Sequence, residues 1–299
     1  MKNTNWDITD IPNQKGRVII ITGSTSGLGK EAARILAGKN ATVIMAVRNV
    51  NKGEEVAREI KQEFPNADLS VRELDLASLS SVKDFADGFS NNYDRLDVLI
   101  NNAGIMLCPY SKTQDGFEIQ MGTNHLGHFA LTGHLMPLLK KTKGSRIVAT
   151  SSMVHRSGKI DFSDINWEKR KYRSIQAYAD SKIANLYFTY ELAKKLEDGN
   201  GAPLSVAAHP GWTRTDLQRH SGFLKVLNSF FSQGIDIGVL PTLRAAVDQE
   251  AVSRDYFGPS GFYEMHGYPV KVKSNKRSYD EESSRELWKL SEELTGVEY

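Results

Sequence analysis

The sequence stretch that decides the fold is Thr22-Gly23-Ser24-Thr25-Ser26-Gly27-Leu28-Gly29, which lies between the apolar run Arg17 to Thr22 (RVIIIT) and a helically spaced segment, Leu28 to Ala37. A short apolar run that ends at glycines predicts a buried strand. Glycine permits a positive φ and close backbone approach, and free N–H groups at the start of a helix attract anions. A strand, a glycine-rich turn and a helix in this order form the site where doubly wound folds bind a dinucleotide pyrophosphate.

This turn is therefore the candidate phosphate-binding site. The residues assigned to it are Gly23, Ser24, Thr25, Ser26, Gly27, Leu28 and Gly29. Their spacing is G-x-x-x-G-x-G, which differs from the commoner G-x-G-x-x-G fingerprint. The alternative interpretation is a tight turn between a strand and a helix that holds no ligand.

Apolar runs and helical segments alternate along most of the remaining chain. Further strands are predicted at Ala41–Val47, Leu69–Leu74, Asp97–Ile100, Ser145–Ser151 and Leu204–Ala208, and helices at Asn51–Glu63, Ser78–Phe89, Phe117–Leu139 and Ile175–Leu196. Such alternation with short connections predicts a parallel sheet covered by helices on both faces. We expect an α/β fold of the Rossmann type, a doubly wound parallel sheet in one NAD(P)-binding domain over residues 1–299. Its core is expected at 14–250 and a C-terminal helix at 280–295.

Composition narrows the classes of function and the compartment. The chain has 299 residues, a formal net charge of +2 and ordinary hydrophobic (40%) and charged (25%) fractions, so no charge argument favours nucleic acid or a membrane surface. A single cysteine, Cys108, excludes a disulfide within the chain, and we expect a reducing, cytoplasmic location. No apolar run approaches the ~20 residues of a membrane span, and the polar start lacks the order of a signal peptide.

The end of the second predicted strand indicates which dinucleotide binds. An acidic residue about 20 positions after the glycines would bind a ribose 2′-hydroxyl and indicate NAD. Val47 and Arg48 occupy that place instead. Because a guanidinium suits a 2′-phosphate, we expect NADP (NADPH) rather than NAD, with Arg48 as a ligand. The alternative for Arg48 is an ordinary solvated surface residue.

Two other strand ends offer polar groups to the same cofactor. After the third strand, the carboxylate in Asp75-Leu76 is placed to accept a hydrogen bond from an adenine amino group. After the fourth strand, the segment Asn102-Ala103-Gly104 is small enough to lie against a ribose. We assign all five residues to the cofactor site, although each segment read alone is also ordinary turn chemistry.

A tyrosine and a lysine four residues apart, Tyr178 and Lys182, indicate proton-transfer chemistry. On a helix they share one face, where the ammonium is expected to lower the pKa of the phenol from its unperturbed value near ~10. Tyr190 and Lys194 have the same spacing, so the spacing alone does not decide between the two pairs. A pair of serines at the end of the fifth strand offers a hydroxyl that completes such a site.

Together these motifs resemble the short-chain dehydrogenase/reductase family. The matching elements, in the family's order, are Thr22 to Gly29 (TGSTSGLG), Asn101 to Gly104 (NNAG), Ser152, Tyr178 with Lys182 (YxxxK) and Pro210-Gly211. The resemblance covers the chain roughly from Gly16 to Glu250. The stretch Thr123 to Phe129 (TNHLGHF) is more similar to the retinol dehydrogenase and WW-domain oxidoreductase branch, and light-dependent protochlorophyllide reductase is a more distant relation.

The resemblance implies a catalytic role for four residues. Tyr178 is expected to exchange a proton with the substrate, and Ser152 to hydrogen-bond the substrate oxygen. Lys182 is expected to lower the pKa of the tyrosine and to bind the nicotinamide ribose. Asn124 matches the family's helix asparagine, which helps to hold a water beside the lysine.

The resemblance also chooses between the duplicated residues and completes the cofactor site. The family's active tyrosine lies near the start of its helix among small neighbours, so Tyr178 is preferred to Tyr190, and Ser152 is preferred to Ser151. The positions expected to contact the carboxamide and phosphates of the cofactor, beside Tyr178 and Lys182, are Pro210, Gly211, Thr213 and Thr215.

The activity implied is hydride transfer between NADP(H) and an alcohol or carbonyl carbon of a small molecule. The family's substrate lid corresponds to an apolar insertion at 213–234, which favours a bulky apolar or retinoid-like substrate. A helix packed on the core or on a neighbouring subunit fits that insertion equally well. Two other functions use the same residues: an NADPH-dependent C=C reductase and a non-catalytic protein that senses the cofactor.

Two further expectations concern assembly and metals. The family pairs its long helices into homodimers or homotetramers, and Ile175–Leu196 offers such a surface with Tyr187, Phe188 and Tyr190, although a monomer stays open. The histidines on the predicted helix Phe117–Leu139 have no carboxylate or cysteine nearby to complete a ligand set, so no metal site is expected. These histidines are His125, His128 and His134.

Overall fold

Eight strands form a single sheet in the part of the chain that the computed structural model describes, residues 5–197, 201–213 and 233–299. The strands are β1 (Val18–Thr22), β2 (Thr42–Val47), β3 (Asp68–Glu73), β4 (Val98–Asn101), β5 (Arg146–Thr150), β6 (Leu204–Ala208), β7 (Tyr256–Pro259) and β8 (Pro269–Lys271). Their order across the sheet is β3-β2-β1-β4-β5-β6-β7-β8, and neighbours from β3 to β7 are parallel. The predicted Rossmann-type doubly wound sheet is confirmed.

Helices cover both faces of this sheet. They are α1 (Gly27–Gly38), α2 (Val50–Glu63), α3 (Leu79–Ser90), α4 (Ile119–Met121), α5 (Gly127–Lys141), α6 (Ser174–Leu196), α7 (Ile235–Gly238), α8 (Leu240–Val247) and α9 (Glu281–Thr295). Successive residues of β1 point to opposite faces, so Ile19 and Ile21 pack with α1, α2 and α8, whereas Ile20 packs with α3 and α5. Both faces are therefore buried at the centre of the sheet, which explains why β1, β2 and β4 are mostly apolar runs.

The strand order reverses between β1 and β4, and this reversal determines where a ligand binds. From β1 the chain builds outward through β2 and β3, and then returns to the other side of β1 with β4. In such sheets a crevice opens beyond the carboxyl ends of the two strands at the reversal. The glycine-rich turn follows β1 and the segment Asn102-Ala103-Gly104 follows β4, so the two predicted cofactor segments meet at this crevice.

The last two strands differ from the sequence-based expectation. β8 runs antiparallel to β7, with Gly258 opposite Val270, so the sheet is not wholly parallel. Both strands lie beyond residue 250, so the sheet extends past the core predicted at 14–250. They have only 4 and 3 residues and contain glycine and proline (YFGP and PVK). They therefore lack the run of alternating apolar residues that marks a strand in a sequence.

The helix predicted at Phe117–Leu139 is interrupted. Its helical part begins only at Ile119, after the Glu118 carboxylate caps the first turn, and a π-helical turn, Gly122–Leu126, separates α4 from α5. The apolar residues Met121 and Leu126 are five positions apart across this turn, a gap too short to divide the predicted helix. A π-turn inserts one extra residue into a helix and is frequent at functional sites. Here it contains Asn124, one of the predicted catalytic residues.

The C-terminal helix α9, which corresponds to the helix predicted at 280–295, covers the face of α6 on which subunit pairing was predicted. Trp288 stacks on Phe188 with ring centroids 5.9 Å apart, and Tyr279, just before α9, stacks on Tyr190 at 5.0 Å. Tyr187 is buried as well. These aromatic side chains are therefore packed inside one chain and do not offer a surface for pairing. Assembly into a homodimer or homotetramer stays a prediction, and it would have to use another surface.

Most of the predicted substrate lid at 213–234 cannot be compared with the fold, because residues 214–232 lie outside the described residues. At the two borders of this segment, Thr213 and Gln233 form an isolated parallel bridge. Within the described ranges, none of the helices is both long enough and apolar enough to cross a membrane.

We predict that Trp288→Ala lowers the free energy of unfolding by about 3–5 kcal/mol, because it removes the aromatic contact between α9 and α6. Trp288 is 4% exposed and also meets Phe129 and Tyr299 edge-on. Lys289→Ala is the matched control, because this side chain is 80% exposed and its pairing with Glu293 lies on the surface; a change within about 0.5 kcal/mol is expected. Guanidinium denaturation measures both variants, and equal losses would contradict this packing.

Candidate active site

The glycine-rich turn is folded as a close-fitting backbone loop at the carboxyl end of β1. Gly23 has a φ of +70°, and a Cβ at this position would lie 2.8 Å from the Ala103 Cβ. A Cβ on Gly29 would lie 2.4 Å from the Gly23 carbonyl oxygen. Neither position has room for a side chain, which explains why the sequence has glycine at both.

The same turn leaves hydrogen-bonding groups free for an anion. Ser26, the N-cap residue of α1, makes no side-chain capping bond, so it does not occupy the first N–H groups of the helix. The Ser24 hydroxyl is fully buried and has no hydrogen-bond partner among the described residues. Thr25 and Gly27 are partly exposed, whereas Leu28 packs into the core. A buried hydroxyl without a partner beside a helix N-terminus fits the pyrophosphate of a dinucleotide.

The segment after β4 is fastened to this turn by the Thr22 side chain. The Thr22 hydroxyl accepts hydrogen bonds from Asn102 N and Ala103 N, both at 2.9 Å. In return, the Asn102 side-chain amide donates to the Thr22 carbonyl oxygen at 2.8 Å. The two predicted cofactor segments, from different parts of the sequence, therefore form one continuous surface.

The four side chains predicted to be catalytic converge beside this surface. A Cβ atom added to Gly104 would lie 3.2 Å from Asn124 Oδ1 and 3.5 Å from Lys182 Nζ, so both side chains border Gly104. The Lys182 ammonium lies 5.6 Å from the centroid of the Tyr178 ring. The Ser152 hydroxyl lies near the Tyr178 phenol, close enough to oppose the rise in its pKa. The structure thus brings together a phenol, a hydroxyl, an ammonium and an amide at the carboxyl edge of the sheet.

Asn124 is held in the π-turn by hydrogen bonds to the protein. Its Oδ1 atom accepts from Ile105 N at 2.8 Å, and its Nδ2 atom donates to Ile105 O at 2.9 Å and to Ser181 Oγ at 3.0 Å. Both amide hydrogens are therefore engaged. The side chain acts as a brace between the segment after β4 and helix α6, and the second lone pair of its Oδ1 atom is left as an acceptor, so its role in holding a water beside Lys182 stays a prediction.

The two serines at the end of β5 have different environments. Ser151 is buried, and its hydroxyl donates to the Lys182 carbonyl oxygen at 2.9 Å. Ser152 is partly exposed, and its hydroxyl meets Tyr178. Its carbonyl oxygen accepts from the ring Nδ1 of the buried His155 at 2.6 Å. This geometry supports the choice of Ser152 as the substrate-facing hydroxyl.

Burial controls the ionisation of the tyrosine and the lysine. It raises the pKa of Tyr178 to about 12, opposed by the nearby Ser152 hydroxyl. It lowers the pKa of Lys182 to about 8. The expectation that Lys182 lowers the pKa of Tyr178 is therefore wrong. Loss of solvation has the largest effect on this pKa and raises it, and the Lys182 ammonium donates to Thr150 O at 3.1 Å. Both shifts favour the uncharged form of the group.

The second tyrosine–lysine pair lies farther along α6 and serves the fold. The Tyr190 side chain is buried, and its hydroxyl is hydrogen-bonded to Ser274 Oγ at 2.8 Å. Lys194 pairs with Glu281 at the surface, at 2.9 Å. Neither side chain takes part in the cluster around Tyr178, which supports the interpretation of this pair as packing.

The residues predicted to select the nucleotide lie at the ends of β2 and β3. Arg48 is exposed and has no hydrogen bond or ion pair within the ranges that the structure describes. Asp75 is partly exposed, and one of its carboxylate oxygens accepts from Ala77 N at 3.0 Å. Leu76 is buried, so it can offer a ligand only its backbone. Arg48 and Asp75 thus follow the carboxyl ends of β2 and β3, and their contact with the adenosine part of a cofactor stays a prediction.

The Pro210-Gly211 segment follows β6 and turns tightly. The Pro210 carbonyl oxygen accepts from Thr213 Oγ1 at 2.7 Å and from Gln233 Nε2 at 2.8 Å, and Gly211 has a φ of +66°. These contacts fix the turn at the carboxyl end of β6, on the same edge of the sheet as the glycine-rich turn. Thr215, the last residue predicted to bind the cofactor, lies outside the described residues.

Comparison with known proteins identifies the family to which this architecture belongs. The family model described as short chain dehydrogenase matches residues 17–222. The chain belongs to the short-chain dehydrogenase family. It is 42% identical to human retinol dehydrogenase 12 over 289 residues, which cover 95% of this chain and 88% of that protein. It is also 42% identical to human retinol dehydrogenase 13 over 287 residues, covering 95% and 86%. The resemblance to the retinol dehydrogenase branch is confirmed.

Solved structures of other proteins agree with this short-chain dehydrogenase fold. An uncharacterized protein from Mycobacterium paratuberculosis has a TM-score of 0.84 and 42% identity, covering 99% of both chains. A short chain dehydrogenase from Shigella flexneri 2a, complexed with NADP, has a TM-score of 0.64 and 28% identity, covering 83% of this chain and 98% of its own. Another, from Escherichia coli CFT073 and complexed with NADPH, has a TM-score of 0.61 and 30% identity, covering 79% and 92%.

One bracing residue of this short-chain dehydrogenase was missed by sequence reasoning. Glu264, in the loop between β7 and β8, accepts from Arg156 at 2.8 Å with one oxygen. Its other oxygen lies 3.1 Å from His209 Nε2. His209 Nδ1 accepts from Gly211 N at 3.3 Å, so a neutral ring carries its proton on Nε2, which lies near the carboxylate but outside hydrogen-bond geometry. Glu264 thereby connects the segment after Ser152 with the segment after β6, and no local motif indicates such a long-range contact.

The buried histidines of the short-chain dehydrogenase form hydrogen bonds inside the fold. His125 Nε2 lies 3.0 Å from Ser291 Oγ on α9, and His128 contacts both Asn124 O and Thr22 Oγ1. Among the described residues there is no group of three or more histidine, cysteine or acidic side chains placed to hold a metal ion.

We predict that Gly29→Ala lowers the free energy of unfolding by about 1–3 kcal/mol, because the added methyl meets the Gly23 carbonyl oxygen. Alanine otherwise favours a helix over glycine by up to about 1 kcal/mol. Gly88→Ala in α3 is the matched control, since its Cβ would meet nothing closer than Arg72 at 3.8 Å. Denaturation should show a neutral or stabilising effect for Gly88→Ala, and the same sign for both variants would refute the close-fitting turn.

Proposed function

We propose that this short-chain dehydrogenase interconverts an alcohol and a carbonyl group with NADP(H). The observation that carries the proposal is the cluster of Tyr178, Ser152 and Lys182 at the crevice where the strand order reverses. Ser24 and the uncapped start of α1 fit the phosphates of such a cofactor. When bound, the nicotinamide supplies the hydride donor or acceptor, so the side chains have to orient the substrate and move one proton.

Tyr178 is the proton-exchanging group in this proposal. Because burial raises its pKa to about 12, the phenol is protonated at neutral pH and ready to donate to a carbonyl oxygen. Ser152 offers that oxygen a second hydrogen bond and stabilises the charge that develops on it. In the oxidative direction the phenol has to lose its proton first. We therefore expect carbonyl reduction to dominate at neutral pH, and alcohol oxidation to become faster as the pH rises.

Lys182 has two tasks in the proposed reaction. Its ammonium is fixed by donation to Thr150 O at 3.1 Å, an oxygen that also accepts from Asn185 at 2.9 Å, and it lies beside Gly104, where the nicotinamide ribose is expected. Because burial lowers its pKa to about 8, both of its protonation states are accessible near neutral pH. Lys182 can therefore pass a proton towards Tyr178 after each turnover.

A bulky apolar aldehyde or alcohol is the substrate class that we propose. The partly exposed side chains that follow Gly104, beside the Asn124 brace, are mostly apolar. They are Ile105, Met106, Leu107 and Cys108. Apolar walls with a few convergent polar groups are typical of small-molecule sites. Relatives named retinol dehydrogenase, at 42% identity, support a retinoid-like substrate.

Tyr178→Phe is expected to lower kcat about 10²- to 10⁴-fold with NADPH and retinal or another apolar aldehyde, because it removes only the proton donor. NADPH binding, followed by fluorescence, should persist. Tyr190→Phe is the matched control from the duplicated pair, since its hydroxyl bonds Ser274 away from the site, and its kcat should be unchanged. An undiminished kcat for Tyr178→Phe, or equal losses for both variants, would overturn the assignment.

Arg48→Ala is expected to raise KM for NADPH roughly 10- to 100-fold, because a charge-assisted contact with the 2′-phosphate is lost. KM for NADH, which lacks that phosphate, should hardly change. Arg58→Ala removes the same charge from another exposed position on α2 and should affect neither cofactor. Steady-state kinetics with both cofactors provide the comparison. A parallel change for NADPH and NADH would show that Arg48 does not read the 2′-phosphate.

A further inference from the structure

We infer that His128 is a positioning residue that fixes the π-turn containing Asn124 relative to the glycine-rich turn. Its two hydrogen-bond partners permit only one tautomer of its ring. This inference rests on the proposed NADP(H)-dependent function. His128 lies in the first turn of α5, one helical turn after Asn124. Its ring reaches from there to Thr22 at the end of β1. It therefore contacts the last residue of β1, immediately before Gly23, from helix α5.

The contact with the π-turn fixes the proton on one ring nitrogen. His128 Nδ1 lies 3.1 Å from the carbonyl oxygen of Asn124. A carbonyl oxygen can only accept a hydrogen bond, so Nδ1 has to carry the proton. A neutral imidazole has one N–H group, which leaves Nε2 as an acceptor.

The contact with Thr22 independently requires the same tautomer. The Thr22 hydroxyl already accepts from Asn102 N and Ala103 N, which use both of its lone pairs. The Thr22 hydroxyl can therefore only donate its proton to a third partner. Two acceptors are within reach, and His128 Nε2, at 2.9 Å, is nearer than the Ile100 carbonyl oxygen, at 3.4 Å. Nε2 therefore has to be unprotonated.

Burial keeps the ring in this neutral state. His128 is 3% exposed, and loss of solvation lowers its pKa to about 3. The nearby Lys182 ammonium also disfavours a second positive charge. The ring therefore stays an Nδ1-protonated link over the whole range in which the enzyme is expected to work.

The link joins the two halves of the proposed site. On one side it holds the backbone of Asn124, whose side chain braces Ile105. On the other side it completes the hydrogen bonds of Thr22, which hold Asn102 against the glycine-rich turn. Loss of the hydrogen bond between His128 and Thr22 should therefore weaken cofactor binding. Loss of the hydrogen bond between His128 and the Asn124 carbonyl oxygen should slow the chemical step.

Two substitutions separate the two ends of the link. In His128→Asn the shorter amide can still donate near the Nδ1 position but no longer reaches Thr22. The NADPH dissociation constant, measured by fluorescence, should rise roughly 5- to 100-fold while kcat changes less. In His128→Gln the longer amide reaches Thr22 with its oxygen but abandons Asn124, so kcat should fall while the dissociation constant changes less.

His134→Gln is the matched control. His134 lies on the same helix α5, but it is partly exposed and the charged groups near it are Asp87 and Lys83 on α3. The NADPH dissociation constant and kcat of this variant should stay within about twofold of the parent. If the His128 variants behave like His134→Gln, or lose binding and kcat in equal proportion, the positioning role is refuted.

Nuclear magnetic resonance of the protein with ¹⁵N-labelled histidine tests the tautomer without any turnover. His128 should show a protonated Nδ1 and an unprotonated Nε2, with no change between pH 6 and pH 9. The opposite tautomer, or a doubly protonated ring, would overturn the inference. Failure of the parent protein to bind NADPH or to turn over apolar aldehydes would count against the proposed function instead, and the two failures are therefore distinguishable.

Discussion

The hydrogen bonds of the Thr22 hydroxyl are the constraint on which the rest of the site depends. This one side chain accepts two backbone N–H groups from the segment after β4 and faces the His128 ring from α5. The carboxyl ends of β1 and β4 therefore cannot separate, and Gly23 is pressed against Ala103 with no room for a side chain. The crevice that fits a dinucleotide follows from this close approach rather than from the glycine spacing alone.

Burial is the common cause of the electrostatic properties of the site. It raises the pKa of Tyr178 to about 12 and lowers the pKa of Lys182 to about 8, so each group is biased towards its neutral form. Lys182 is held at the carboxyl end of β5, because Thr150 O accepts from its ammonium and the Ser151 hydroxyl donates to its carbonyl oxygen. A phenol that is protonated and fixed beside Ser152 is suited to donate to a carbonyl oxygen.

The sequence predicted β2, β4, β5 and β6 closely because they are mostly apolar runs, buried like β1. The edge strand β3 (DLSVRE) is only partly buried, and it was predicted within one residue at each end. It could not predict β7 and β8, whose few residues include glycine and proline and are paired only by long-range contacts. The π-turn around Asn124 was missed because the five-residue step from Met121 to Leu126 is too small a break in the apolar pattern to indicate it. The spacing of Tyr178 and Lys182 recurs at Tyr190, and only the surroundings of each pair separate chemistry from packing.

The most direct test of the proposed reaction follows the hydride itself. NADPH deuterated at the transferable position of the nicotinamide is incubated with the protein and retinal, and the product is analysed by mass spectrometry and nuclear magnetic resonance. The account predicts an alcohol with one deuterium on the carbinol carbon. Deuterium on a carbon of a former C=C bond, or no transfer to any apolar aldehyde although NADPH binds, would contradict it.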